Sequence, residues 1–67
     1  MNARAVFVIH KERDRIINNM HAMPNGYTIR AVSVVARSVL IKGPWPYFDI
    51  KVKSLGAGVY ELRKVPK

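Results

Sequence analysis

The chain has 67 residues, which is enough for one small domain and no more. Apolar residues make up 49% and charged residues 24%, a composition typical of a chain that folds. Twelve lysines and arginines against four acidic residues leave a net charge of +8. The absence of cysteine excludes a disulfide framework, a thiolate nucleophile and a cysteine-based zinc site. We therefore expect one basic domain over residues 1–67.

The first apolar run, residues 5–9, stops at His10 and Lys11 and lacks the features of a secretory signal. The longer stretch at residues 31–41 is interrupted and falls short of the roughly 20 apolar residues that span a bilayer. Both observations favour a cytoplasmic protein with no membrane partner. Because the first run is unbroken and rich in strand formers, residues 4–9 are predicted to form a strand covered on both faces.

Residues 10–23 have a helical pattern. Apolar side chains recur at helical spacing at Ile16, Ile17, Met20 and Met23. Glu12 and Asp14 stand among basic residues, as in a salt-bridged helix surface. The helix is predicted to stop at residues 24–26, because Pro cannot continue the hydrogen-bond ladder and Asn or Gly readily takes a left-handed conformation.

Residues 27–41 carry two conflicting patterns. With a period of two, alternate residues share one mostly apolar strand face. With a period of 3.6, a clean apolar stripe lies on one side of a helix, formed by Val32, Val35, Ala36, Val39 and Leu40. β-Branched residues are frequent here and favour a strand. We expect a strand with a kink or bulge near residues 36–38, and a helix is the alternative.

The last third of the chain has the plainest pattern. Residues 43–46 form a proline-rich loop that is predicted to be rigid. Apolar and charged residues then alternate from Phe48 to Lys53, which indicates a half-buried strand. A glycine-bearing turn at residues 54–58 leads to a return strand that starts at Val59 and ends near Pro66. Residues 47–65 are therefore predicted to form a β-hairpin.

These elements predict a small α+β domain. The expected order is β-α-β followed by the hairpin, with one helix packed on a sheet of three or four strands. A winged-helix-like fold is the alternative, with a second helix at about residues 30–41 and the hairpin as the wing. That alternative lacks a further helix joined by a tight turn.

The titratable residues give little support to catalysis. The two histidines, His10 and His21, have no partner at metal-ligand spacing and are interpreted as ordinary surface or boundary residues. The glycines of the turn at residues 54–58 lack the lysine and the helix that a phosphate loop needs. We expect a protein that is not an enzyme, with no cofactor and no metal.

The basic residues are more informative. Because side chains alternate along a strand, Lys51 and Lys53 are expected on one face, where Arg63 or Lys64 can join them in a positive ribbon. Aromatic residues beside such a ribbon can stack single-stranded bases, although they can equally cap a small core. The candidate nucleic-acid contacts are Arg30, Arg37, Lys42, Trp45, Tyr47, Lys51, Lys53, Arg63 and Lys64.

The first half of the chain resembles a known family. The residues concerned are Ala5-Val6-Phe7-Val8-Ile9-His10, then a charged helix with Arg15 and Ile16-Ile17, then Met23-Pro24-Asn25-Gly26-Tyr27-Thr28-Ile29. Over residues 5–32 this pattern resembles the N-terminal strand-helix-strand of NinB-type bacteriophage recombination proteins. The resemblance implies binding of single-stranded DNA and a phage or prophage origin, and it carries no functional residue over to this chain.

The charge and the ribbon together predict a small basic nucleic-acid-binding accessory protein that favours single strands over duplex, encoded by a phage or another mobile element. The alternative is a non-enzymatic regulator or inhibitor that binds an acidic protein, since a net charge of +8 attracts acidic surfaces equally well. A homodimer is a further interpretation, because so small a core gains from dimerisation.

Overall fold

The computed structural model describes residues 3–43 and 45–67. Two helices pack on a three-stranded antiparallel sheet, which confirms the predicted α+β class. The strand order is β1-β3-β2, so the last strand lies in the centre. The elements are α1 (Ala3–Ala22), β1 (Thr28–Val32), α2 (Ser33–Lys42), β2 (Phe48–Gly56) and β3 (Val59–Pro66).

The predicted strand at residues 4–9 is wrong, because these residues form the first turns of α1. An unbroken apolar run does not distinguish a buried strand from a helix by its period. Here the run continues without a break into the charged helix that follows. Val6 and Ile9 are partly buried, whereas Phe7 and Val8 face solvent. The continuation of the run into the amphipathic part of α1 therefore outweighs the β-propensity of residues 6–9.

The second half of α1 agrees with the sequence. Ile16 and Met20 are fully buried one turn apart, and the helix ends at Ala22, just before the predicted stop. Gly26 has a φ of +95°, the left-handed conformation expected of the turn. The predicted salt-bridged surface is also present, with ion pairs Arg13–Asp14 and Arg15–Glu12. Neither helix of the described residues is long and apolar enough to cross a bilayer.

Residues 27–41 contain both a strand and a helix. β1 takes the first part as a strand, and α2 starts directly after it at Ser33. Val32 is extended, and the Ser33 N–H donates a hydrogen bond of 2.8 Å to the carbonyl of Gly58 at the hairpin turn. The prediction of a strand throughout is thus correct to residue 32 and wrong from residue 33, where the 3.6-residue stripe decides the structure.

The predicted hairpin is confirmed as β2 and β3. β2 runs past the predicted Lys53 to Gly56, β3 has the predicted bounds, and the tight turn holds three consecutive left-handed residues, Gly56, Ala57 and Gly58. The rigid loop predicted at residues 43–46 contains Pro44, which lies outside the described residues. α2 lies close to the second helix that the winged-helix alternative predicts at about residues 30–41. However, β1 separates it from α1, and the described residues contain no third helix.

The core lies between the two helices and one face of the sheet. It combines residues from every element: Ile16, Met20, Ala31, Val35, Ala36, Val39, Phe48, Ile50 and Leu62. Leu62 is fully buried in the central strand and pairs in register with Ile29 of β1 and Val52 of β2. The opposite face of the sheet is covered by neither helix.

Truncating the Leu62 side chain should therefore destabilise the fold. We expect Leu62→Ala to lower the free energy of unfolding by about 2–5 kcal/mol, because it leaves a cavity in the buried core. Leu55→Ala is the matched control, since Leu55 is 39% exposed near the hairpin turn and its truncation should cost less than about 1 kcal/mol. Urea unfolding followed by circular dichroism measures both, and equal losses would contradict this assignment of the core.

Candidate nucleic-acid interface

The face of the sheet turned away from the helices carries most of the charged residues of the strands. Along β3, Leu62 and Lys64 are buried, and Glu61 and Arg63 point the other way, as the period of two requires. The register of β1 and β2 with β3 places six charged residues on this outward face: Arg30, Asp49, Lys51, Lys53, Glu61 and Arg63. We call this surface the outward sheet face.

The basic residues of the outward sheet face come together in two rows. Lys51 of β2 pairs directly with Arg63 of β3, so two positive charges lie side by side. In the next row, Glu61 lies between Arg30 and Lys53. Within the described residues, none of these side chains forms an ion pair. Like charges directly opposite each other destabilise a sheet, so the Lys51–Arg63 pair does not contribute to the stability of the fold.

The register selects Arg63 rather than Lys64 for the predicted ribbon. Lys64 points to the helices and is only 9% exposed. Its ammonium group donates a hydrogen bond of 2.7 Å to the carbonyl of Met23, just past the end of α1, and lies 4.5 Å from the centre of the Phe48 ring. A cation at the carboxyl end of a helix is favourable because it meets unpaired carbonyl groups. Lys64 therefore serves the fold and lies outside the outward sheet face.

Trp45 also lies on the helical side of the sheet. Its ring centre is 5.3 Å from that of the buried Phe48 and 5.7 Å from that of His21 on α1. His21 in turn meets Phe48 edge to face at 5.3 Å. The indole N–H of Trp45 is buried and has no hydrogen-bond partner in the described part of the chain. This aromatic cluster covers one end of the core, so Trp45 is not beside the outward sheet face.

Tyr47 differs from Trp45 in its exposure. It stands immediately before β2 and is 85% exposed, which leaves its ring open to solvent. Tyr60 is half-buried on the inner face, where it pairs with Ala31 and Ser54. Of the aromatic residues near the predicted ribbon, Tyr47 is therefore the one that is free to stack on a base.

The two remaining candidates, Arg37 and Lys42, lie on α2 and not on the sheet. They border a groove of about 520 Å³ between α1 and α2, which we call the helical groove. The groove was not expected from the sequence. A helical interpretation of residues 5–9 would have indicated apolar side chains on α1, but their position beside α2 depends on the packing of the two helices.

Acidic residues modify the charge beside the helical groove. A hydrogen bond from the Arg13 guanidinium lowers the pKa of Asp14, and the positive charges of Arg13, Lys42 and His10 act in the same direction. A hydrogen bond from Arg15 likewise lowers the pKa of Glu12. Both carboxylates are therefore ionised and paired at neutral pH. No three His, Asp or Glu side chains of residues 3–43 and 45–67 gather as metal ligands.

Comparisons of the chain with family models, curated proteins and solved structures find no match. What the two surfaces bind is therefore inferred from the residues that form them.

The separate roles of Lys64 and Arg63 can be tested with one substitution at each position. We expect Lys64→Met to lower the free energy of unfolding by about 1–3 kcal/mol, because it removes a charged hydrogen bond and leaves the Met23 carbonyl unpaired. Arg63→Met on the same strand should change it by less than about 0.5 kcal/mol, since that side chain is exposed. Chemical denaturation measures both, and a stable Lys64→Met protein would contradict the structural role of Lys64.

Proposed function

We propose that the outward sheet face binds the phosphate backbone of nucleic acid and that the protein is a small, non-enzymatic nucleic-acid-binding accessory protein. The observation that carries this proposal is the Lys51–Arg63 pair, in which two like charges lie directly opposite each other without an acidic partner. Such a pair costs folding energy in the free protein. A ligand with closely spaced negative charges removes that cost, and a phosphate backbone is such a ligand.

The composition of the outward sheet face supports phosphate contact rather than base recognition. Four basic residues, Arg30, Lys51, Lys53 and Arg63, outnumber the acidic Asp49 and Glu61 on this face. The outward positions of the three described strands hold no aromatic residue. Binding through phosphates is independent of sequence and depends strongly on salt, because it releases counterions. The preference for single strands rests on Tyr47 alone.

Origin and location belong to the same proposal. The resemblance of residues 5–32 to NinB-type recombination proteins supports a phage or mobile-element origin and a role with single-stranded DNA. The resemblance implies a strand at residues 5–9, but these residues form part of the helix α1. The strand that it implies after Gly26 is present as β1. A cytoplasmic location follows from a nucleic-acid partner.

The contribution of the Lys51–Arg63 pair can be measured by fluorescence anisotropy with labelled oligonucleotides at several salt concentrations. Four phosphate contacts predict a slope of log affinity against log salt of about −2.8 on single strands and about −3.6 on duplex. In the double variant Lys51→Gln/Arg63→Gln, we expect the single-strand slope to weaken by about 1.4. Affinity at low salt, about 50 mM, should fall roughly 50-fold.

The control is Arg4→Gln/Lys11→Gln, which removes the same charge from exposed positions on α1. This variant should keep the slope and lose affinity only slightly. Equal losses in the two double variants would show diffuse attraction to net charge instead of a binding face. No binding by the wild-type protein at low salt would refute the proposal.

A separate pair of variants tests base stacking by Tyr47. Tyr47→Ala should weaken binding to single-stranded DNA by about 1–3 kcal/mol and leave duplex binding nearly unchanged, because paired bases are not available for stacking. Tyr47→Phe keeps the ring and should bind like the wild type. The same anisotropy titration measures all three proteins. Equal losses on single strands and duplex would exclude stacking and leave only the phosphate contacts.

A further inference from the structure

The helical groove has an apolar floor that the other residues described by the structure leave uncovered. Val6 and Ile9 contribute from α1, and Val34 and Ile41 contribute from α2. Ile41 is 82% exposed and Val34 is 42% exposed, although both are large apolar residues on a helix that packs against α1. Exposed apolar side chains are unremarkable singly, but a contiguous set in a groove is typical of a binding surface.

The rim of the helical groove is positively charged. His10 and Arg13 lie on the α1 side, and Arg37 and Lys42 lie on the α2 side. Arg13 is paired with Asp14, at 2.9 Å between guanidinium and carboxylate. Neither Arg37 nor Lys42 forms an ion pair with any residue in the described ranges. The α2 side of the rim therefore presents two positive charges without a salt bridge, although Asp14 lies close enough for Lys42 to lower the pKa of its carboxyl group.

We propose that the helical groove binds an acidic amphipathic helix from another protein. An apolar floor between two helices matches the apolar stripe of a third helix, with side chains at i, i+3, i+4 and i+7 as anchors. Glutamates or aspartates beside that stripe would meet Arg37 and Lys42. Charge complementarity thus selects an acidic partner over a neutral or basic one and speeds its association.

The charge and the apolar floor of the groove argue against two other ligands, a second copy of this chain and nucleic acid. A second copy of the chain brings the same basic rim and a net charge of +8, so like charges would face each other across the groove. Nucleic acid would satisfy the rim but would leave the apolar floor uncovered. The groove is formed by the helices, whereas the outward sheet face is on the other side of the sheet. The proposal is therefore independent of nucleic-acid binding.

The probe is a capped 18-residue synthetic helix with Leu at the four anchor positions and Glu at most of the others. Its comparison peptide has Lys in place of every Glu. Titration by isothermal calorimetry and by NMR of the labelled full chain is expected to show binding of the Glu peptide to the helical groove. The Lys peptide should bind at least about tenfold more weakly.

Two variants of the groove test its floor and its rim separately. Ile41→Asp puts a charge on the floor at a position exposed enough to tolerate it, and it should weaken the Glu peptide about tenfold or more. Arg37→Gln/Lys42→Gln should weaken it about tenfold and reduce the dependence on salt. Thermal unfolding checks that both variants remain folded.

Matched controls come from the sheet. Leu55→Asp introduces the same charge at an exposed apolar residue of the hairpin. Lys51→Gln/Arg63→Gln removes the same charge from the outward sheet face. Both should bind the Glu peptide like the wild type, and Arg37→Gln/Lys42→Gln should keep its affinity for oligonucleotides.

Four results would overturn the proposal. The first is no binding of the Glu peptide at millimolar concentration. The second is equal binding of the two peptides, which would remove the charge selection. The third is self-association in analytical ultracentrifugation that Ile41→Asp abolishes, which would make a second copy the occupant. The fourth is a loss of oligonucleotide binding in Arg37→Gln/Lys42→Gln, which would assign the rim to nucleic acid.

Discussion

The position of β3 between the two other strands is the constraint on which the rest of the structure depends. Leu62, at the middle of this strand, is fully buried and meets Ile29 on one side and Val52 on the other. Because side chains alternate, the register that buries Leu62 and Lys64 also turns Glu61 and Arg63 outward. The core therefore fixes which charges reach the outward sheet face.

Because the helices cover only one side of the sheet, side chains on the covered side stabilise the fold and side chains on the other side are available for binding. On the covered side, Lys64 is placed by a backbone carbonyl and an aromatic ring, so its charge is used within the protein. On the uncovered side, Lys51 and Arg63 are exposed and paired in register, and neither forms an ion pair with a described residue. Two adjacent basic residues, Arg63 and Lys64, thus have opposite roles, and net charge alone does not distinguish them.

The sequence predicts the class and the hairpin well, because alternation between Phe48 and Lys53 is a strong local signal. It fails where a local signal is ambiguous. The apolar run at residues 5–9 has no period of its own, and only its continuation into the charged helix decides for a helix. The 3.6-residue stripe indicates the helix α2 but not the residue at which it begins, and the boundary at Ser33 lies where the pairing of β1 with β3 ends.

The candidate site is predicted in part for the same reason. Alternation places Lys51 and Lys53 on one face of β2 directly from the sequence. The choice between Arg63 and Lys64 requires the cross-strand register. The partial burial of Trp45 requires knowing that α1 brings His21 close to Phe48. The helical groove depends on the packing of α1 against α2, and for that reason composition and spacing do not reveal it.

β1 is an edge strand, and backbone hydrogen bonds hold the residues just before and just after it to the rest of the sheet. At its start, the Gly26 N–H donates to the Lys64 carbonyl and the Lys64 N–H donates to the Tyr27 carbonyl, at 2.7 and 2.9 Å. At its end, the Ser33 N–H is bound to Gly58. The hairpin closes over a tight turn, whereas β1 joins it across α2, so its pairing carries the larger loop-closure entropy. These end bonds oppose fraying at the strand whose pairing with the sheet has the larger entropic cost.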